Sequence, residues 1–176
     1  VNDDFFISYD KYWDSYKIIN DLFSSIIFNE AKSSDLIMIH DINLSLIPHY
    51  IAKKNNYAKM GFYFHSLFPC LEVLYSIPYH QELLQSIVLC DLICFHNINI
   101  AMKFLSAVQR TIDIYNEVKP GGNIILNSQG RVIQIHIMQI GIDIEYVDLF
   151  LNTQEFLEKK EKYENEYKSF SENSLK

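Results

Sequence analysis

Three short apolar runs each stop on a histidine, and that recurrence limits the fold more than any other feature of the chain. LIMIHD covers Leu36 to Asp41, MGFYFH ends at His65, and DLICFH ends at His96. Each run is short and strand-like, and each is followed by sequence with helical spacing. Strands that alternate with helices pair in parallel and present their carboxyl ends along one edge, where open α/β sheets bind ligands. His40, Asp41, His65 and His96 are therefore expected along a single sheet edge that the rest of the chain supports.

The elements around those runs follow from local spacing. Trp13, Tyr16, Ile19, Phe23, Ile26 and Ile27 return at intervals of three and four, which predicts an amphipathic helix over Tyr9 to Ala31. A second helix starts near Asn43 with Pro48 in its first turn, where a missing N–H costs little. The polar break KKNNYAK leads to the second strand, and Ser66 to Pro69 form a loop. Leu71 to Ile77 is a short helical segment interrupted by Pro78, and a helix over Tyr79 to Leu89 follows. Asn97 caps a long helix running to about Tyr115. PGGN then marks a turn, and NIILN and RVIQIHIM flank Ser128 to Gly130 as a hairpin. The charged stretch from Asn152 onward reads as a solvated helix. The expectation is a Rossmann-like domain over 1–151 and a charged helical tail over 152–176.

Composition excludes several functions. A net charge of -7 argues against a nucleic-acid surface, and Arg110 and Arg131 are the only arginines, so bidentate phosphate clamps are scarce. No apolar stretch approaches the roughly 20 residues of a membrane span, and the start VNDDFFISYD lacks the pattern of a secretory leader. Cys70, Cys90 and Cys94 form no CxxC pair and read as free thiols of a reducing compartment, so the chain is expected in the cytoplasm. Its first residue, Val1, suggests an excerpt from something longer.

The edge residues are hydrogen-bonding groups of different kinds. An ionised carboxylate only accepts hydrogen bonds, so Asp41 can receive two hydroxyl donors; taken alone it reads as a helix N-cap or turn residue rather than a ligand. His65 can bond a hydroxyl through one ring nitrogen while the backbone fixes the other. His40, turned to the opposite face from Asp41 by alternation, reads as a structural, hydrogen-bonded histidine. His96 divides between strand-end bonding and a peripheral site role. A zinc site is disfavoured, because no close pair such as HxxxH or CxxC is present.

The segment IHDINLSLIPHYI is similar to the H-D-Y-H-L motif of the trehalose-6-phosphate synthase family of retaining glycosyltransferases, and GFYFHSLFP to that family's F-F-L-H-I-P-F-P. LEVLYSIPYHQELLQSIVLCDLICFH, AMKFLSAVQR, WDSYKIINDLFSSII and QIGID resemble further family motifs in collinear order from about Tyr12 to Asp143. The resemblance implies one half of a GT-B fold: a Rossmann-like parallel sheet with helices on both faces, plus a C-terminal β-hairpin and the charged tail. It implies transfer of glucose from UDP-glucose to glucose 6-phosphate with retention, facing a second Rossmann-like domain of the same protein, with no cofactor and no protein-bound metal. It leaves room for a homo-oligomer. It matches Asp41 to the aspartate that holds the acceptor, His65 to the catalytic histidine at the donor sugar, and Trp13 to an aromatic near the acceptor.

The sequence departs from the motifs, with two of the changes, at Ile42 and Asn43, beside the acceptor position that the resemblance implies. Ile42 stands for tyrosine, Asn43 for histidine, Ser66 and Leu67 for Ile-Pro, His80 for arginine and Cys94 for glycine. They open an alternative: a catalytically impaired synthase-like domain with a regulatory or assembly role, beside a phosphatase domain as in fused family members. In either case the 176-residue chain alone is expected to be inactive.

Overall fold

The structure, a computed structural model, describes residues 3–54, 58–128 and 130–174, with side chains for those between 9 and 168. Asn55 to Tyr57 of the polar break, Gln129 of the expected hairpin turn and the last two residues of the tail lie outside the described residues. Two compact units are present, 1–139 and 140–176. The last residues of the expected Rossmann-like domain, 140–151, thus fall in the second unit.

In the first unit, helix α1 (Asp3–Glu30) precedes β1 (Leu36–His40), a 3-10 turn (Ile42–Leu44), α2 (Ile47–Lys53), β2 (Lys59–Phe64), α3 (Leu71–Tyr75), α4 (His80–Ile87), β3 (Leu92–Phe95) and α5 (Ile98–Ile112). Strands β4 (Asn116–Val118), β5 (Ile124–Ser128) and β6 (Arg131–Ile137) complete it. Pro48 lies in the first turn of α2, and Asn97 caps α5 by accepting the Ile100 N–H at 3.0 Å. Helix α5 stops at Ile112, short of Tyr115, because Asp113 enters the left-handed region at φ 57°, which Asp tolerates better than most residues. The chain then forms β4, an edge strand that its short polar sequence does not announce.

The sheet order is β1-β2-β3-β6-β5-β4, with β1, β2, β3 and β6 mutually parallel and β5 antiparallel to both of its neighbours, β6 and β4. The expected hairpin is therefore not an appendage: β6 pairs with β3 through Leu92↔Gln134 to Phe95↔Ile137 and makes one mixed sheet. Ile39, Phe62, Phe64, Ile93, Phe95, Ile133 and Ile135 point to one face, where α2, α4 and α5 bury Ile47, Leu84 and Phe104 against them. The other face leaves Leu36, Met38, Val132, Gln134 and His136 exposed. Strand order rises without reversal from β1 to β3. Crossovers of one hand then lay every connecting helix on the same side.

The second unit holds α6 (Ile144–Leu151) and α7 (Gln154–Ser174). Asp143 caps α6 by accepting the Tyr146 N–H, and the Glu155–Lys159 pair supports the charged α7. Among the described residues no helix is long and apolar enough to cross a membrane.

Candidate active site

The carboxyl ends of β1, β2 and β3 bring Asp41, His65 and His96 to one edge, as the sequence predicts. Asp41 leaves β1 at φ 59° and ψ 174°, a turn that carries its side chain toward β2. There one oxygen, Oδ1, accepts the N–H of His65 at 2.8 Å and of Ser66 at 3.0 Å. Asp41 makes no cap bond to the 3-10 turn that follows it. It is a cap for the neighbouring strand end, and among the described residues its hydrogen bonds fall on Oδ1.

His65 is held differently from expectation. Its Nε2 meets Nδ1 of His40 at 2.8 Å, so a second imidazole fixes the ring where the backbone was expected to do so. His40 lies on the opposite face from Asp41 and is hydrogen-bonded, but it is exposed. His96 takes the bonding role: its Nδ1 is 3.1 Å from the Tyr63 hydroxyl, which also contacts the Met138 carbonyl. A carbonyl only accepts, so the single hydroxyl proton goes to Met138 and Nδ1 of His96 must donate to Tyr63. Among the described residues no group of His, Cys, Asp and Glu is arranged to hold a metal ion. Burial pushes the thiols of Cys90 and Cys94 up, away from reactivity.

Trp13 reaches the same neighbourhood from α1. It stacks on Tyr79 with centroids 4.4 Å apart and on Tyr16 at 5.2 Å. An aromatic cleft of about 350 Å³ runs between Trp13, Tyr16, Tyr79 and Ile42. Beside it a second cavity of about 200 Å³ is lined by Asp41, Ile42, Leu67, Ile77 and His80. Nδ1 of His80 lies 2.6 Å from the Ile77 carbonyl and must donate to it. Among the described residues no lysine or arginine lines either cavity.

The spacing Trp13, Tyr16, Asn20 carried a signal that reading the stripe only as packing missed. Tyr16 donates to the Ile42 carbonyl and accepts the Ser45 N–H at 3.2 Å, and burial raises its hydroxyl pKa. Asn20, fully buried, accepts the Leu46 N–H at 3.0 Å and donates to the Asn43 carbonyl at 3.2 Å. These two polar side chains on the helix face satisfy the backbone that follows Asp41, and so shape the turn.

The sequence model of glycosyltransferase family 20 matches residues 4–173. Alpha,alpha-trehalose-phosphate synthase 5 (UDP-forming) of Arabidopsis thaliana is 33% identical over 144 residues, 81% of this chain and 17% of its own length. A trehalose-phosphate synthase of Burkholderia xenovorans, solved in complex with glucose 6-phosphate, superposes with a TM-score of 0.71 at 20% identity, over 77% of this chain and 30% of that one. The N-terminal domain of Candida albicans trehalose-6-phosphate phosphatase superposes with a TM-score of 0.72 at 27% identity, over 84% and 31%. The chain thus spans under a fifth of the Arabidopsis relative and about a third of each solved structure.

Proposed function

The chain belongs to glycosyltransferase family 20, the trehalose-6-phosphate synthases, and we propose that the full-length protein transfers glucose from UDP-glucose to glucose 6-phosphate with retention. The observation that carries this reading is Asp41, held in an unfavourable backbone conformation at the strand edge beside His65, with no hydrogen bond to Oδ2 among the described residues. In this reading Oδ2 accepts an acceptor hydroxyl in a charge-assisted bond, His65 bonds the donor sugar, and Trp13 forms part of the acceptor wall. The glycosidic bond to the diphosphate breaks as the new bond to the acceptor oxygen forms, and the hydroxyl proton leaves with the departing UDP. Proximity and stabilisation of the diphosphate charge supply the acceleration. Arg131 is tied to the Leu89 carbonyl and Asp91 at the opposite sheet edge, so the cations for the diphosphate come from the second Rossmann-like domain.

The test is UDP release by the full-length protein given UDP-glucose and glucose 6-phosphate. Turnover that falls at least roughly 10-fold in His65→Ala supports the reading; turnover indifferent to His65 removes it.

A second reading is favoured by the cavity beside Asp41. Ile42, Leu67 and Ile77 make it apolar, and His80 is the one imidazole in its lining. A phosphate finds little there, and the likeness to a phosphatase's N-terminal domain fits a synthase-like domain kept for regulation or assembly. Full-length protein that folds and releases no UDP supports this second reading.

A further inference from the structure

The imidazole pair at the edge has a task that the sugar contacts do not account for. His40 closes β1 in register with Tyr63, and His65 follows Tyr63 by two residues on the same face. The two rings lie 5.0 Å apart with planes at 31°, and their facing nitrogens are 2.8 Å apart. We propose that His40 is the positioning residue of His65, binding Nε2 so that Nδ1 is the one ring nitrogen His65 turns to a ligand. What Nδ1 then touches rests on the synthase reading; the pairing does not.

His65 is fixed on every side by a different kind of contact. Asp41 holds its N–H, the Tyr63 ring lies 4.4 Å away, and His96 sits edge-on at 5.7 Å. His96 meets His65 only edge-on, with its Nδ1 committed to Tyr63. An N···N hydrogen bond needs one nitrogen with a proton and one with a lone pair. The pair therefore keeps its bond when both rings are neutral or when one is charged, and loses it when both are charged. Asp41 from the turn after β1, Tyr63 from β2 and His96 after β3 are the titratable groups set against it. Loss of the bond frees the His65 ring to rotate, and a misplaced catalytic group can cost two orders of magnitude in rate.

His40→Phe keeps a planar ring and removes the nitrogen, and His40→Gln restores a group that can donate and accept. Long-range ¹H–¹⁵N spectra of the imidazoles in the 176-residue chain should show a coupling between Nδ1 of His40 and Nε2 of His65. The Phe variant should change the tautomer balance of His65. In the full-length protein His40→Phe should lower kcat roughly 10- to 100-fold, leave the acceptor KM within about twofold, and shift the acid limb of the kcat/KM profile, with partial recovery in His40→Gln. His65 resonances identical in wild type and His40→Phe overturn the proposal, as does an unchanged kcat and pH profile. His40 is exposed, so neither variant removes a core contact; should the Phe form fail to fold, the Gln form carries the same spectra. Wild-type protein that releases no UDP removes the synthase reading alone, since the spectra still decide the pairing.

Discussion

Asp41 occupies a backbone region at φ 59° and ψ 174° that costs a residue with a Cβ on the order of 1–3 kcal/mol and tends to persist where function demands it. Three hydrogen bonds hold it there: its own N–H donates to the Tyr63 carbonyl at 3.0 Å, and Oδ1 receives the two N–H groups of His65 and Ser66. A carboxylate that served only as a ligand would make Asp41→Asn silent for folding. Here the substitution keeps an acceptor oxygen but loses the charge behind two bonds. Asp41→Asn should lower the unfolding free energy by about 1–2 kcal/mol, read as a lower urea midpoint at unchanged m. A wild-type midpoint would mean that these bonds do not hold the turn.

At the scale of elements, the two edges of the sheet are built for different work. The carboxyl edge gathers imidazoles, whereas the amino edge is tied by Asp91. Its Oδ2 accepts the Met60 N–H at 3.0 Å, and Oδ1 lies 3.2 Å from Nζ of Lys59 and 3.5 Å from Nη2 of Arg131. Burial pushes the Asp91 carboxyl up, but the Met60 N–H, Lys59 and Arg131 outweigh it and leave the group below its ordinary value. A pKa lower in the folded than in the unfolded chain adds stability above the unfolded value, about 3.9, and that stability is lost as pH falls through the folded value. Wild type should therefore lose stability below about pH 4 more steeply than Asp91→Asn. Parallel curves from urea titrations at a series of pH values would show that the tie between β2, β3 and β6 is not electrostatic.

For the whole molecule, the decisive quantity is where positive charge lies. Catalysis of sugar transfer needs groups that bind the developing diphosphate charge more tightly than the ground state. Arg131 is engaged at the amino edge and Arg110 lies in the last turn of α5, away from both cavities near Asp41. Purified 176-residue chain, incubated with UDP-glucose and glucose 6-phosphate, should release no UDP above a protein-free control. Protein-dependent turnover would place a complete site within these residues.

Strands β1, β2 and β3, the cap at Asn97 and Pro48 in the first turn of a helix were legible in the chain, because hydrophobic period and cap chemistry act over a few residues. The shared edge for Asp41 and His65 was legible too, since a parallel βαβ arrangement aligns strand ends. Tertiary structure alone decided that β6 joins β3, that the helices gather on one face, and that His40 rather than the backbone holds His65. It also decided that the Asp41 carboxylate caps a neighbouring strand and that Tyr63 reaches the Met138 carbonyl, 75 residues away along the chain. Each of those outcomes is a pairing between residues far apart in sequence, and neither periodicity nor composition records which distant partner a polar atom will meet once the sheet has closed.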